Sequence, residues 1–368
     1  MEIAVTGANG FIAKNFIYNL IYSKKYKINK ITRKTPKRKI IDILKKSQII
    51  YHFAGANRPK YKKSFKKDNI ELTKFICDFL IKKKLKKTII FSSSTQITEK
   101  NLYGKSKKDC EKLLSDMSKK NDSKIFILRL PNIYGKWSKP NYNSVVSTFC
   151  NRIANDKKIT ISDPNKIVNL LYIDDLIKVL KKLIVNKSAK KINIIIKFDK
   201  TKKATLKKIA DTIHNFEDGR NNLFVADVSS DFNKNLYSTY VSNLPKNKIS
   251  YSLKSHKDNR GSFTECIKTS KNGQFSFFTA KKGQIRGHHF HHSKVEKFLV
   301  LKGKAKFNLK DISKNKNINF KLDGSNPKIV ESIPGHQHYI ENIGKEELLV
   351  LLWSNELFDV DNPDTFII

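Results

Sequence analysis

Cysteine is scarce in this sequence. The four cysteines, Cys77, Cys110, Cys150 and Cys266, stand far apart in 368 residues, and no two of them form a CxxC pair. A disulfide framework and a cysteine-bound zinc site both depend on closely spaced cysteines, so neither is expected. The spacing indicates reduced, mostly buried thiols in a reducing compartment.

Long uncharged apolar runs are missing as well. No run reaches the roughly eighteen residues that a membrane-spanning helix needs, so no membrane partner is expected. The opening MEIAVTGANG has the pattern of a strand entering a glycine turn, and it lacks the basic stretch and apolar segment of a signal peptide. These absences predict a cytoplasmic protein.

Arginine is rare for so basic a chain. Lysine and arginine number 74 against 33 acidic residues, for a formal net charge of +41, yet only eight of the 74 are arginine. A clustered cationic stripe would indicate nucleic-acid binding. The lysines are instead scattered among Ile and Asn, which is typical of solvated faces. We expect weak, non-specific retention of DNA and no specific nucleic-acid partner.

Two patterns divide the chain, whose length exceeds what one hydrophobic core usually supports. Up to about residue 240, strands such as EIAVT (2–6) and KIFILRL (124–130) alternate with amphipathic helical segments. Beyond it, short alternating strands follow one another between Gly, Asn and Pro turns. We predict a Rossmann-type doubly wound parallel sheet in residues 1–243 and an all-β barrel in residues 244–368.

A glycine turn follows the first strand and opens a helix. It contains Gly7 and Gly10, with Ala13 at the third small position. Glycine is needed where a pyrophosphate approaches the backbone and sits at a helix N-terminus, whose free amides favour an anion. The turn therefore predicts a dinucleotide site.

A tyrosine and a lysine stand four residues apart in YGKSK, downstream of the serine-rich strand end that includes Ser94. At that spacing Tyr103 and Lys107 share one face of a helix, so the ammonium can stabilise a tyrosinate and let the phenol deliver a proton. Ser94 can hold a substrate carbonyl. The alternative, an exposed helix start, is weakened by the glycine turn upstream.

Together these motifs resemble the extended short-chain dehydrogenase/reductase family over about residues 1–240. The resemblance implies a catalytic set of Ser94, Tyr103 and Lys107. It also implies a cofactor site that comprises Gly7, Asn9, Gly10, Phe11, Ile12, His52, Ala54 and Gly55.

Cofactor choice is expected to depend on the end of the second strand. An acidic residue there would bind a ribose hydroxyl, but the chain has Ile31-Thr32-Arg33-Lys34. Cations suit a 2′-phosphate, so we expect NADPH with Arg33 as a contact. The alternative is that Arg33 is one more surface cation.

Six of the nine histidines fall in the last eighty or so residues. Residues His289, His291 and Glu296 have the spacing of the first cupin signature, between Gly283 and Gly303. Alternate residues of a strand face one side, so His289 and His291 point together into the predicted barrel. The pattern resembles the cupin family and predicts a metal centre.

A fourth ligand is expected from PGHQH. This stretch resembles the second cupin signature but is one residue short between Pro and Gly, which leaves His336 and His338 as alternatives. We favour His338 because Asn342 follows it by four residues. Zinc is the expected metal, with iron, nickel and manganese open, and a purely structural metal is the alternative role.

Residues 258–265, DNRGSFTE, resemble the DxRGxFxE segment of cupin sugar epimerases that act on nucleotide-linked 4-keto sugars. The resemblance makes Arg260 a candidate for bidentate contact with a sugar or diphosphate. A structural ion pair is the alternative.

The order of the halves resembles the bifunctional reductases of capsular polysaccharide synthesis. That resemblance implies a homodimer acting on a UDP-linked 4-keto amino sugar: epimerisation at C3 in the cupin, then NADPH-dependent reduction at C4 to UDP-N-acetyl-6-deoxy-L-talosamine, a precursor of UDP-N-acetyl-L-fucosamine. Three residues are possible bases at C3, His291, His292 and Lys297. The alternative is a single-activity reductase or epimerase whose cupin is structural or dimerising.

Overall fold

The computed structural model describes residues 1–57, 65–185, 193–198 and 200–367. They form two compact units, Met1–His214 with Val228–Pro245 and Asn215–Asp227 with Lys246–Ile368. Residues 215–227 precede the predicted boundary at residue 243 but belong to the second unit. They are joined to it by backbone hydrogen bonds of 2.8 Å that Leu223 and Val225 make with Lys268. Arg58 and Pro59, which end the stretch HFAGANRP that begins at the predicted cofactor residue His52, lie outside the described residues.

Six parallel strands form the main sheet of the first unit, in the order β2-β1-β3-β4-β5-β8. Ile3, Ala4 and Val5 in β1 are all fully buried, as expected for a parallel strand covered on both faces. A smaller sheet has the order β6-β7-β9. The strands are β1 Glu2–Thr6, β2 Lys27–Ile31, β3 Ile49–His52, β4 Thr88–Ser94, β5 Lys124–Leu130, β6 Asn132–Tyr134, β7 Ile167–Tyr172, β8 Asn193–Ile196 and β9 Thr201–Thr205.

Helices cover both faces of the main sheet. One face carries α1 and α6 over a core that includes Phe16 and Leu180. The other carries α2, α3 and α4 over a core that includes Leu44 and Leu114. This arrangement confirms the predicted Rossmann-type fold. The helices are α1 Phe11–Leu20, α2 Lys37–Lys46, α3 Leu72–Lys82, α4 Leu102–Asn121, α5 Val145–Ala154, α6 Ile173–Val185, α7 Leu206–Asn221 and α8 Asp231–Val241, with a π-helical turn at Lys66–Glu71.

Ten strands in two antiparallel sheets make up most of the second unit, which confirms the predicted all-β half. Their orders are β10-β11-β12-β19-β14-β17 and β13-β18-β15-β16. The strands are β10 Ser255–Asp258, β11 Gly261–Lys268, β12 Gln274–Ala280, β13 Ile285–His289, β14 Glu296–Lys302, β15 Lys304–Asp311, β16 Lys316–Asp323, β17 Ile329–Glu331, β18 His336–Asn342 and β19 Leu348–Ser354.

The inward faces of these strands form one apolar core. Phe307 on β15 is buried in it. So are Phe298 and Val300 on β14 and Val350 on β19, whose chain neighbours are more exposed. This alternation is the period-2 pattern read from the sequence. Within the described part of the chain, no helix has the length and apolar character needed to cross a membrane.

Candidate active sites

A cavity of about 470 Å³ in the first unit gathers most of the predicted reductase residues. It lies where the chain leaves the carboxyl ends of parallel strands, which is where open α/β sheets bind ligands. Of the predicted set, the cavity is lined by Gly7, Asn9, Gly10, Phe11, Ile12, Gly55, Ser94, Tyr103 and Lys107.

The glycine turn has the geometry expected of a phosphate cradle. Gly7 has a φ of +65°, and a Cβ at this position would lie 2.8 Å from the backbone of Ala54. The turn is closed by a 2.7 Å hydrogen bond from Gly10 N to the Gly7 carbonyl. Helix α1 begins at Phe11, so its first amides face this turn. The arrangement fits a dinucleotide pyrophosphate.

His52, a predicted cofactor contact, is buried and bonded at both ring nitrogens. Nδ1 lies 2.7 Å from Thr6 Oγ1, and Nε2 lies 2.9 Å from Thr73 Oγ1. Thr73 donates its one proton to the carbonyl of Asn69, so Nε2–H donates to Thr73 and Nδ1 accepts from Thr6. Thr6 in turn accepts from the Ala54 amide. His52 therefore holds the β3 end in place, and neither it nor Ala54 is among the described residues that line the cavity.

Burial gives His52 a measurable effect on stability. Burial, followed by the charge of Lys107, lowers the pKa of His52 to about 3. The unfolded chain, with a pKa near 6.5, then binds more protons, so stability is complete above about pH 6.5 and falls as the pH falls toward 3. Between pH 7 and 5, wild type should lose about 2 kcal/mol more than His52→Gln in urea unfolding. Equal losses would contradict this assignment.

Helix α4 presents the tyrosine and lysine to the strand end. The side chain of Asn101 caps the helix by accepting from Gly104 N at 2.7 Å. A Cβ on Gly104 would collide with the carbonyl of Gln96, so glycine allows the helix start to lie close to Ser94. The Tyr103 hydroxyl hydrogen-bonds to Ser94.

Burial dominates the electrostatics of this pair. Lys107 Nζ donates to the Ser92 carbonyl at 2.7 Å and lies 5.9 Å from the centroid of the Tyr103 ring. Burial raises the pKa of Tyr103 to about 12, although the Ser94 hydrogen bond opposes it. Burial also lowers the pKa of Lys107 to about 8. Burial thus dominates the pKa of Tyr103, and Tyr103 is a protonated acid at neutral pH.

Two buried polar residues support the site and were not predicted. Asn69, in the π-helical turn, donates to the Ala56 carbonyl and to Ser106, and accepts from the Ala56 amide at 2.7 Å. Glu111 accepts hydrogen bonds from the Ser93 hydroxyl and from Nε and Nη2 of Arg129. Glu111 follows Lys107 by one helical turn, a spacing that could have suggested its place. No sequence signal marks Asn69.

The segment after β6 was also missed. Trp137, Ser138, Lys139 and Tyr142 line the cavity, and Trp137 has a φ of +66°. The non-periodic stretch GKWSKPNYNS carries no helix or strand pattern. Its position after a strand of an α/β unit was the available signal, because ligand loops follow such strands.

Arg33 is on the surface in this structure. Its side chain is 81% exposed and pairs with Asp68 at 2.9 Å. It is not among the described residues lining the cavity. An exposed ion pair of this kind contributes little to stability. Arg33 can therefore leave Asp68 and pair with another anion.

A second cavity, of about 600 Å³, lies in the β unit and contains the predicted metal ligands. One ligand atom from each of His289, His291, Glu296 and His338 lies within 4.8 Å of the others. Burial lowers the pKa of His289 to about 4. Burial opposes ionisation of Glu296, but hydrogen bonds from His291 and His338 prevail and lower its pKa to about 2. Neutral imidazoles and a carboxylate are the forms that bind metal.

The proton positions favour a cation among these residues. His291 Nδ1 contacts the Asp364 carbonyl, which can only accept, so this nitrogen carries the proton. The lone pair of Nε2 in a neutral ring then faces Glu296 Oε2 at 3.2 Å. Two acceptors at this distance repel, so the position between them suits either a proton on Nε2, as in the hydrogen bond that lowers the pKa of Glu296, or a metal ion. His338 Nε2 is 3.1 Å from the same oxygen, close to the roughly 3.3 Å between two ligands of a tetrahedral zinc.

The residues that the sequence left as alternatives lie at different positions in the structure. His338 is buried in the cluster, whereas His336 lies 3.9 Å from Asp311. Two candidate bases do not face the cavity. His292 packs on Phe366, and Lys297 pairs with Glu331 and lies over the Trp353 ring. Strand alternation explains Lys297, which follows the inward Glu296.

Arg260 lines the second cavity, together with Arg286, which was not predicted. Asp258 bridges the two, lying 2.7 Å from Arg260 and 3.1 Å from Arg286. The hydrogen bond from Arg260 lowers the pKa of Asp258 to about 2. The pair of guanidinium groups is suited to an anionic ligand.

Family comparisons agree with this organisation. The model for the NAD dependent epimerase/dehydratase family matches residues 3–196. The chain belongs to this family. Membership implies a nicotinamide cofactor for the first unit. A second model, the polysaccharide biosynthesis C-terminal domain, matches residues 256–366.

The chain matches two relatives over its full length. It is 37% identical to the UDP-2-acetamido-2,6-beta-L-arabino-hexul-4-ose reductase of Pseudomonas aeruginosa, over all of this chain and 98% of that one. It is 36% identical to the capsular polysaccharide assembling protein CapF of Staphylococcus aureus, with a TM-score of 0.92 and complete coverage of both chains. A UDP-glucuronic acid 4-epimerase of Bacillus cereus, 20% identical with a TM-score of 0.52 over 59% of this chain and 85% of its own, shares the fold alone.

Proposed function

We propose that this protein is a bifunctional nucleotide-sugar enzyme whose first unit reduces a keto group at C4 and whose second unit epimerises C3. The observation that carries the proposal is the presence in one chain of a Ser94–Tyr103 pair beside a dinucleotide cradle and a separate cavity with three histidines and a carboxylate. The full-length relative named as a hexul-4-ose reductase supports the substrate class.

In the first unit, Tyr103 is the acid that protonates the C4 oxygen. A bound NADPH would supply the hydride to C4. Ser94 orients the carbonyl through its hydroxyl. The charge of buried Lys107, 5.9 Å from the tyrosine ring, stabilises the phenolate that remains after proton transfer.

In the second unit, a base takes the proton from C3 and a proton is returned to the opposite face. Of the three candidate bases, His291 lines the cavity and His292 and Lys297 do not, so we propose His291 for this step. The neighbouring C4 ketone acidifies this proton, and negative charge develops on the C4 oxygen. A divalent metal, for which we propose zinc, would supply an electrophile at His289, His291, Glu296 and His338. Arg260, at the same cavity, is proposed to bind the anionic part of the substrate. With this metal site inside its β barrel, the second unit would be a cupin.

The cofactor is proposed to be NADPH, with Arg33 moving from Asp68 to the 2′-phosphate. Arg33→Ala should raise KM for NADPH by about 10- to 100-fold, the effect of losing a hydrogen bond to a charged group, and leave KM for NADH unchanged. Arg38→Ala, an exposed arginine nearby, is the matched control. Equal KM values for NADPH in wild type and Arg33→Ala would refute this assignment.

The proposed product is UDP-N-acetyl-6-deoxy-L-talosamine, on the route to UDP-N-acetyl-L-fucosamine for a capsule or O-antigen. The test is to supply the UDP-linked 4-keto sugar with NADPH and identify the product by mass spectrometry and NMR. A gain of two hydrogens with inversion at C3 supports both activities. A two-hydrogen gain with C3 unchanged would leave only the reductase.

One observation favours a second candidate, a single-activity 4-reductase. The four ligands of the β unit are largely buried, and closed four-ligand sites are commonly structural. In that case the β unit would tie a homodimer together. C3 inversion by the purified protein separates the candidates.

A further inference from the structure

The last residues of the described chain lie against the proposed metal site. Phe290 and Phe366 exchange backbone hydrogen bonds of 2.9 and 3.0 Å. The Phe366 ring packs on Phe290 and on His292. We call residues 364–366 the C-terminal strap. The strap is hydrogen-bonded to the segment between the ligands His289 and Glu296, although the two are some seventy residues apart in sequence.

Asp364 is the centre of this strap. Its carboxylate accepts from the backbone amides of His292, Ser293 and Lys294 at 2.7–2.8 Å, and from the Ser293 hydroxyl at 2.9 Å. Four donors thus meet one side chain. In the turn between the ligands His291 and Glu296, three amides donate to the strap, and the fourth, that of Val295, donates to Asn355.

The backbone of Asp364 acts on a ligand directly. Its carbonyl accepts the Nδ1 proton of His291. That hydrogen bond fixes the ring tautomer, so the Nε2 lone pair is directed at the cluster. Thr365 N donates to Pro363 O at 2.7 Å, which makes a three-residue turn centred on Asp364. Because of this turn, the Asp364 carbonyl can bond His291 while the Asp364 carboxylate bonds the amides of residues 292–294.

We infer that Asp364 is a positioning residue for the metal site and that the C-terminal strap presets the metal affinity of the β unit. This inference rests on the metal site proposed above. Thr365 also lines the cavity, and its hydroxyl lies 3.3 Å from Lys294 Nζ. The strap is therefore both an outer shell for the ligands and part of the cavity wall.

The test compares zinc affinity in wild type, Asp364→Ala and Asp364→Asn of the full chain, by competition with a chromophoric chelator. Asp364→Ala keeps a backbone carbonyl but removes the carboxylate that holds the strap on the turn, so we expect the carbonyl to be displaced from His291. Loss of an outer-shell partner typically weakens metal binding about 10- to 100-fold, and we expect this for Asp364→Ala, with a smaller loss for Asp364→Asn, which keeps one acceptor. The matched control is Asp361→Ala, an exposed aspartate three residues earlier. It should bind zinc as wild type does.

A spectroscopic measurement separates positioning from general destabilisation. The ¹⁵N shifts of His291 should report a protonated Nδ1 in wild type, and removal of residues 364–368 should abolish that preference. NADPH binding by the first unit serves as the control for folding of the chain.

The outcomes are distinct. If wild type itself binds no zinc, the proposed metal site fails. If wild type binds zinc and both Asp364 variants bind it equally well, the metal site stands and the role of Asp364 is overturned. Should Asp364→Ala not fold, the affinity of Asp364→Asn decides.

Discussion

Replacing Tyr103 by Phe should lower the rate of NADPH-dependent C4 reduction by about a thousandfold, within the range for loss of a positioned general acid. The phenol is the proton donor because burial keeps it protonated, with a pKa of about 12, and the Ser94 hydroxyl orients it. The phenyl ring of the variant fills the same space, so the cavity is preserved. NADPH oxidation at saturating substrate is the measurement.

The same variant has a second expected property. C3 proton exchange should continue at the wild-type rate, since it occurs in the other unit. Tyr22→Phe, at a fully exposed position of the first unit, is the matched control and should reduce at the wild-type rate. Retention of reductase activity in Tyr103→Phe would remove this residue from the chemistry.

Replacing His289 by Ala should lower metal affinity by at least about a hundredfold and abolish C3 exchange. Removal of a ligand costs more than removal of an outer-shell partner, which is typically about 10- to 100-fold. His289 contributes a neutral imidazole beside His291 and His338, with ring centroids 4.8 Å away in each case. Metal content after dialysis, determined by elemental analysis, is the measurement.

His288 offers a matched control for this experiment. It is the preceding residue of β13, but it has a φ of +76° and its ring stacks on Tyr339, away from the cluster. His288→Ala should keep its metal. C4 reduction by His289→Ala, supplied with the sugar already inverted at C3, should be unchanged. A His289→Ala protein with wild-type metal content would contradict the ligand assignment.

Much of this arrangement was readable from local sequence patterns. The glycine turn, the tyrosine and lysine one helical turn apart, and two histidines two residues apart at the end of β13 each depend on a short stretch of sequence. Such patterns specify which side chains share a face. They predicted Gly7, Tyr103, Lys107, His289 and His291 as members of two sites, and the structure places each of them in a cavity.

What remained hidden depends on contacts between distant stretches. Asp364 hydrogen-bonds a turn some seventy residues earlier in the sequence. Asn69, in a π-helical turn, hydrogen-bonds Ala56 in the segment that follows β3. His52 matched a cofactor motif, yet its two threonine partners come from β1 and α3. The pKa of Tyr103 rises because of burial, which no spacing reveals and which outweighs the hydrogen bond from Ser94.

In this proposal, one chain holds two separable chemistries for one sugar. Incubation of the full chain with the UDP-linked 4-keto sugar in D₂O, without NADPH and followed by ¹H NMR, tests it most directly. We predict deuterium at C3 with wild type and with Tyr103→Phe, and none with His289→Ala. Exchange that survives in His289→Ala, or that is absent from metal-loaded wild type, would contradict the account.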